Sequence, residues 1–150
     1  PPEHMKYRSM VEMFFTPEYV DKLKPYIQKT ANDLMDNMKR RGCSDGPVDL
    51  VEHFALPVPS YIVYTILGVP FEDLEFLTKQ TAIRSNGSST AREASAANQQ
   101  LLDYMAELVE KRMEQPKDDL ISRLVEEQVK AGVIDKAEAV QMAFLLLVAG

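Results

Sequence analysis

Apolar side chains recur at helical spacing through nearly the whole chain, and no run alternates apolar and polar residues over more than a few positions. This pattern predicts helices and no strands. Several helix starts are marked locally. Thr16-Pro17-Glu18 supplies a capping side chain, a first-turn proline and an acid at the helix's positive end, predicting a helix from about Pro17 to Arg41. Lys39-Arg40-Arg41 and then Gly42 end it. Asp49 with Glu52, Thr90 with Glu93, and Asp135 with Glu138 have the spacing at which a cap and an acid satisfy each other's backbone donors, which predicts three more starts. SYIVYTILGVP is apolar nearly all round, preceded by Pro57 and Pro59 and closed by Gly68 and Pro70, as expected of a short buried helix. Asp118 to Ala131 reads as another short helix. The run from Ala137 to Gly150 is apolar on every face yet shorter than the roughly 20 residues that cross a bilayer, so it is expected to be the central buried helix.

The fold class is therefore all-α, and residues 1–150 read as one partial domain cut at both ends. Pro1-Pro2 begins at a helix entrance, and AVQMAFLLLVAG stops inside an apolar run. There is no repeat at a fixed period. A formal net charge of -6 argues against nucleic acid as a partner. With no membrane anchor or leader pattern in view, a soluble protein of the cytoplasm or mitochondrion is expected. The single cysteine, Cys43, forms no internal disulfide and fits a reducing compartment. It follows Gly42 in a polar turn after two arginines and reads as an ordinary loop thiol.

Two stretches carry candidate chemistry. In PPEHMKYR, His4 and Arg8 stand four residues apart and project from one helix face, where both can reach one anion; alternatively Arg8 pairs with Glu12, four residues further on. In KQTAIRSNGSSTARE, Lys79, Arg84 and Arg92 are three cations with no acid between them, around a Ser-Asn-Gly-Ser-Ser centre that packs no core. This reads as a flexible basic loop joining two helices, either an exposed loop with incidental charge or a landing place for an anionic ligand such as a dinucleotide. His53 reads as a packing or surface residue. HExxH, GxGxxG, phosphate-loop and GxSxG patterns are absent from the sequence, so the reactions they carry have no motif behind them.

The pieces also have a recognisable order. PPEHxxxR entering a helix, FTP, a buried segment ending in LGVP, a basic helix-loop-helix, KDDLIS and an apolar helix reaching AG together resemble the middle of a cytochrome P-450, from its C helix to the first half of its I helix. Within that superfamily, EFLTKQTAIRSNGSSTAREASAANQQLLDY and FALPVPSYIVYTILGVPFEDLE resemble the soluble fungal nitric oxide reductases.

The resemblance implies a mainly α complete fold with small β-sheets and a haem b cofactor. It places the propionate-binding pair on His4 and Arg8, an arginine of the NADH channel on Arg84, and the small-residue pair of the distal pocket on Ala149 and Gly150. Lys79 and Arg92 join the NADH site on electrostatic grounds alone. The haem-ligating cysteine and the proton-delivering threonine of the family lie downstream, and Cys43 does not match the former. The implied reaction reduces nitric oxide to nitrous oxide with NADH, or NADPH, as direct electron donor and no reductase partner, in fungal denitrification. A conventional monooxygenase of an organic substrate with a separate redox partner, and a helical interaction protein without haem, are the other readings.

Overall fold

The computed structural model describes residues 2–42 and 46–149. Seven α-helices run through them: α1 (Pro2–Val11), α2 (Pro17–Gly42), α3 (Pro57–Leu67), α4 (Leu74–Ser85), α5 (Ala91–Glu114), α6 (Leu120–Leu124) and α7 (Lys136–Ala149). Short 3-10 turns at Glu12–Phe15 and Phe71–Asp73 and π turns at Val51–Ala55 and Val125–Val129 link them, and no strand occurs among the described residues.

The local signals act as their chemistry requires. Thr16 Oγ1 accepts from the Tyr19 amide at 3.3 Å at the head of α2. Thr90 and Glu93 close a reciprocal cap on α5, each side chain accepting from the other residue's amide at 3.2 and 2.8 Å. Asp135 and Glu138 do the same before α7, at 2.8 Å in both directions. Asp49 accepts from the amides of Val51 and Glu52, but the bonds that follow open into a π turn rather than an α-helix. Pro57 takes the first position of α3, where its missing N–H costs nothing, and Gly68 ends the helix at φ 90°, a left-handed conformation suited to glycine.

The core lies between α3, α4, α5, α6 and α7. Leu67, Leu77, Leu101, Met105, Val109, Ile121 and Val125 are sealed from solvent. On α7, Ala139, Val140, Ala143 and Leu147 form the buried stripe, with the two alanines allowing close approach of the neighbouring helices.

Beyond the π turn after Asp49, two further expectations change. The apolar final helix is covered on one stripe only, and Leu145 on another face is 62% exposed. Uniform apolarity signals burial without saying which neighbours supply it, and the described helices reach only one side of α7. The basic stretch from Lys79 to Glu93 is mostly helix: Lys79 and Arg84 belong to α4, Arg92 begins α5, and the connection itself is Asn86–Thr90. Asn86 holds that turn by accepting the Ser88 amide on Oδ1 at 2.9 Å and the Ser89 amide on its carbonyl at 3.0 Å. The Ser-Asn-Gly-Ser-Ser composition marks the turn, but packing of α4 on α5 carries the helix further than composition suggests.

Candidate functional site

The first helix carries two exposed donor side chains. His4 and Arg8 are both exposed on α1, and neither makes a hydrogen bond or ion pair among the described residues. Glu12 opens the 3-10 turn after α1 and does not pair with Arg8. The helix is nonetheless fixed in place. Tyr7, between the two, donates its phenol hydrogen to Glu138 at 2.6 Å, and Lys6 donates to the Val133 carbonyl at 3.3 Å. The bond to Tyr7 is the main cause holding the Glu138 carboxyl below its ordinary range, and the same bond raises the phenol.

A second feature lies where the turn after α1 meets the end of α7. Phe15, Val63, Ile66, Leu67, Leu120, Leu146 and Ala149 line an apolar cleft of about 200 Å³. Ala149 stands at its exposed rim, and Gly150, expected beside it in the distal pocket, lies outside the described residues, as does Cys43. His4 and Arg8 are not among the lining residues, so the donor pair on α1 and the apolar cleft, whose wall nearest α1 in sequence is Phe15, remain separate features.

The three cations of the basic stretch separate. Arg84, in the last turn of α4, is half-buried and donates from Nε to Asn98 Oδ1 on α5 at 3.1 Å. Lys79 faces another side of α4, where it shares a groove of about 560 Å³ with Arg41 and His53 near α2 and the turn before α3. Arg92 is exposed in the first turn of α5, where its charge opposes the positive end of the helix dipole. A positive charge there adds to the local potential an anion would meet.

The sequence did not reveal Asn98 as the partner of Arg84, nor Phe15 as a wall of the cleft; both depend on contacts between helices. It also missed a buried cluster with no catalytic geometry. Arg112 donates from Nε to Asp119 at 2.7 Å and from its terminal nitrogen to the Gly68 carbonyl, with both charged side chains 5% exposed. The Asp119 carboxylate also caps α6 through the Ser122 amide at 2.8 Å. Nearby, Tyr104 donates to Asp73 at 2.7 Å, and burial together with that bond pushes its phenol far above the usual range. These groups tie helix ends together.

Among the described residues there is no cluster of His, Cys, Asp and Glu that could hold a metal ion, and no helix is long and apolar enough to cross a membrane. What the described residues place here is two exposed cationic or donor side chains on α1 and, apart from them, an apolar cleft.

Comparison with known proteins identifies the family. The chain is 65% identical over 149 residues to cytochrome P-450 55A3 of Fusarium lichenicola, covering 99% of this chain and 36% of that protein. It is 39% identical to pentalenic acid synthase of Streptomyces avermitilis, again over 99% of this chain and 36% of the relative. Among solved structures, the crystal structure of GfsF superposes with a TM-score of 0.90 at 37% identity, over 99% of this chain and 37% of that one. The chain therefore spans little more than a third of the length of these relatives. With the family profile described as Cytochrome P-450 matching residues 1–148, this chain belongs to the cytochrome P-450 family.

Proposed function

We propose that this chain is the central part of a haem-thiolate nitric oxide reductase that takes its electrons directly from NADH. The observation that carries the reading is the step in identity from the Streptomyces relative at 39% to the Fusarium protein at 65%, together with the resemblance of the α3–α5 sequence to the fungal reductases. In the balanced reaction two nitric oxide molecules, one NADH and one proton give nitrous oxide, water and NAD+.

The residues present fit a haem. Its carboxylates need cationic donors, which His4 and Arg8 offer unpaired from one helix, and its macrocycle needs apolar surface, which the cleft between Phe15, Ile66 and Ala149 offers. The bound haem supplies the iron at which nitric oxide is reduced. The chain's own residues do the binding and shaping. His4 and Arg8 hold the propionates, with Tyr7 and Glu138 fixing the helix that bears them. Ala149 and Gly150 keep the distal side free of bulk for a diatomic ligand. Arg84 binds an anionic group of the dinucleotide, and Arg92 adds to the potential that draws it in.

The test uses the complete haem-loaded protein: anaerobic NADH consumption on addition of nitric oxide, with no reductase present, beside the Arg84→Ala variant. We expect rapid consumption in the parent and a fall in kcat/KM of about ten- to a hundredfold in the variant, the loss of one charge-assisted contact. A second reading, a monooxygenase served by a redox partner, draws on the 35% identity to mycinamicin IV hydroxylase/epoxidase of Micromonospora griseorubida. No consumption without a reductase, with normal haem incorporation, would favour it.

A further inference from the structure

A guanidinium has two edges that can meet an oxyanion in a fork. One is the side made by Nε and one terminal nitrogen; the other is the end made by the two terminal nitrogens. In Arg84 the side edge is taken, because Nε donates to Asn98 Oδ1 at 3.1 Å. No other partner of the Arg84 side chain occurs among the described residues, so both terminal nitrogens keep their donors. The residue is half-buried in the last turn of α4, and its partner stands on α5, the helix against which α4 packs most extensively. The turn joining the two helices is held by Asn86 at one end and by the Thr90–Glu93 cap at the other. Arginine carries large rotamer freedom, and a bond at Nε restricts it before any ligand arrives.

We infer that Asn98 is a positioning residue for the dinucleotide: it holds Arg84 by the side edge, so that the end-on pair of terminal nitrogens is what a phosphate of NADH meets. This rests on the reading of Arg84 as an NADH-binding residue and adds to it the group that aims it. A neutral amide suits that task, because it orients the guanidinium without cancelling its charge. A carboxylate at the same position would hold Arg84 as firmly and neutralise it.

The experiment therefore uses Asn98→Ala and Asn98→Asp in the complete haem-loaded protein, with two readouts. One is NADH binding by equilibrium dialysis across a range of ionic strength. The other is steady-state NADH consumption with nitric oxide. For Asn98→Ala we expect the Kd and KM for NADH to rise about tenfold, equivalent to ~1.4 kcal/mol, while kcat at saturating NADH stays within about twofold. Its salt dependence should match the parent, since the charge on Arg84 remains. For Asn98→Asp the expected rise is similar but the salt dependence is shallower, a signature that a purely structural role would not produce. Asn98→Gln, which keeps the amide, should recover part of the affinity. Unchanged NADH binding in both Asn98→Ala and Asn98→Asp, even with a lowered Tm, overturns the inference. NADH binding that responds as expected in a protein that consumes no NADH with nitric oxide overturns the reductase reading and leaves the role of Asn98 standing.

Discussion

At the scale of single residues, Gly68 is the most closely surrounded of the described glycines. Its φ of 90° ends α3, its carbonyl accepts from Arg112, and a side-chain carbon placed on it would fall inside the Asp119 carboxylate. Gly68→Ala combines a left-handed backbone cost with overpacking against a buried ion pair. We expect it to lower stability by about 3 kcal/mol, measurable by urea denaturation. The Arg112–Asp119 pair is a different kind of interaction. Bringing two charges into a nearly dry site gains little over a well-packed apolar pair, but removing one partner strands the other, at a cost of about 3–5 kcal/mol. Gly68 was legible as a helix end, but its meeting with Arg112 and Asp119 was not. Asp119 stood out only as part of KDDLIS, whereas Gly68 and Arg112 lie 44 residues apart and meet through the packing of three helices.

At the scale of elements, the starts of α5 and α7 were readable from a Thr or Asp with a Glu three residues on, because a cap is satisfied within four residues and needs no tertiary partner, although the same spacing at Asp49 and Glu52 leads into a π turn. The extent of α4 was not. Its inward face includes Gln80 as well as Leu74 and Leu77, so the apolar pattern is interrupted and the helix depends on α5. The caps also predict a response to acid. Hydrogen bonds from Thr90 depress the Glu93 carboxyl, and hydrogen bonds from Tyr7 and then Asp135 depress that of Glu138. A carboxyl lowered in the folded state contributes stability that is complete above its unfolded value of about 4.5 and is lost as pH falls through the folded value. The acid limb of a Tm-against-pH profile should therefore be shallower in Glu93→Gln and Glu138→Gln than in the parent, while the profiles stay parallel at neutral pH. An unchanged acid limb would show that the caps do not contribute to acid sensitivity.

At the scale of the whole molecule, the sequence conveyed the helical class and the order of its parts, and the candidate donors His4, Arg8 and Arg84 could be named from residue type and resemblance. Their surroundings could not. Whether Arg8 would pair with Glu12, whether Lys79 and Arg84 would converge, and which stripe of α7 would be covered are all decided by how helices pack on one another. The open stripe bearing Leu145 and the apolar cleft beside Ala149 mean that these residues present much apolar surface when taken alone. The resemblance implies that the sole cysteine, Cys43, is not the haem ligand, which predicts that the 150-residue chain mixed with haem gives no thiolate-type ferrous-CO band. An absorbance spectrum decides this, and a band that Cys43→Ala abolishes would make Cys43 the ligand.

The meeting of Gly68, Arg112 and Asp119 also limits the routes by which this sequence can change. No larger side chain can enter position 68 while an acid stands at 119. The acid cannot leave while the arginine remains buried beside it, and losing the arginine first strands the acid. Each single step leads downhill, and only a joint replacement of the charged pair by apolar residues opens a way through. Variants drawn one substitution at a time should keep all three residues, and a library that varies the three positions together is where a new solution at this junction would be found.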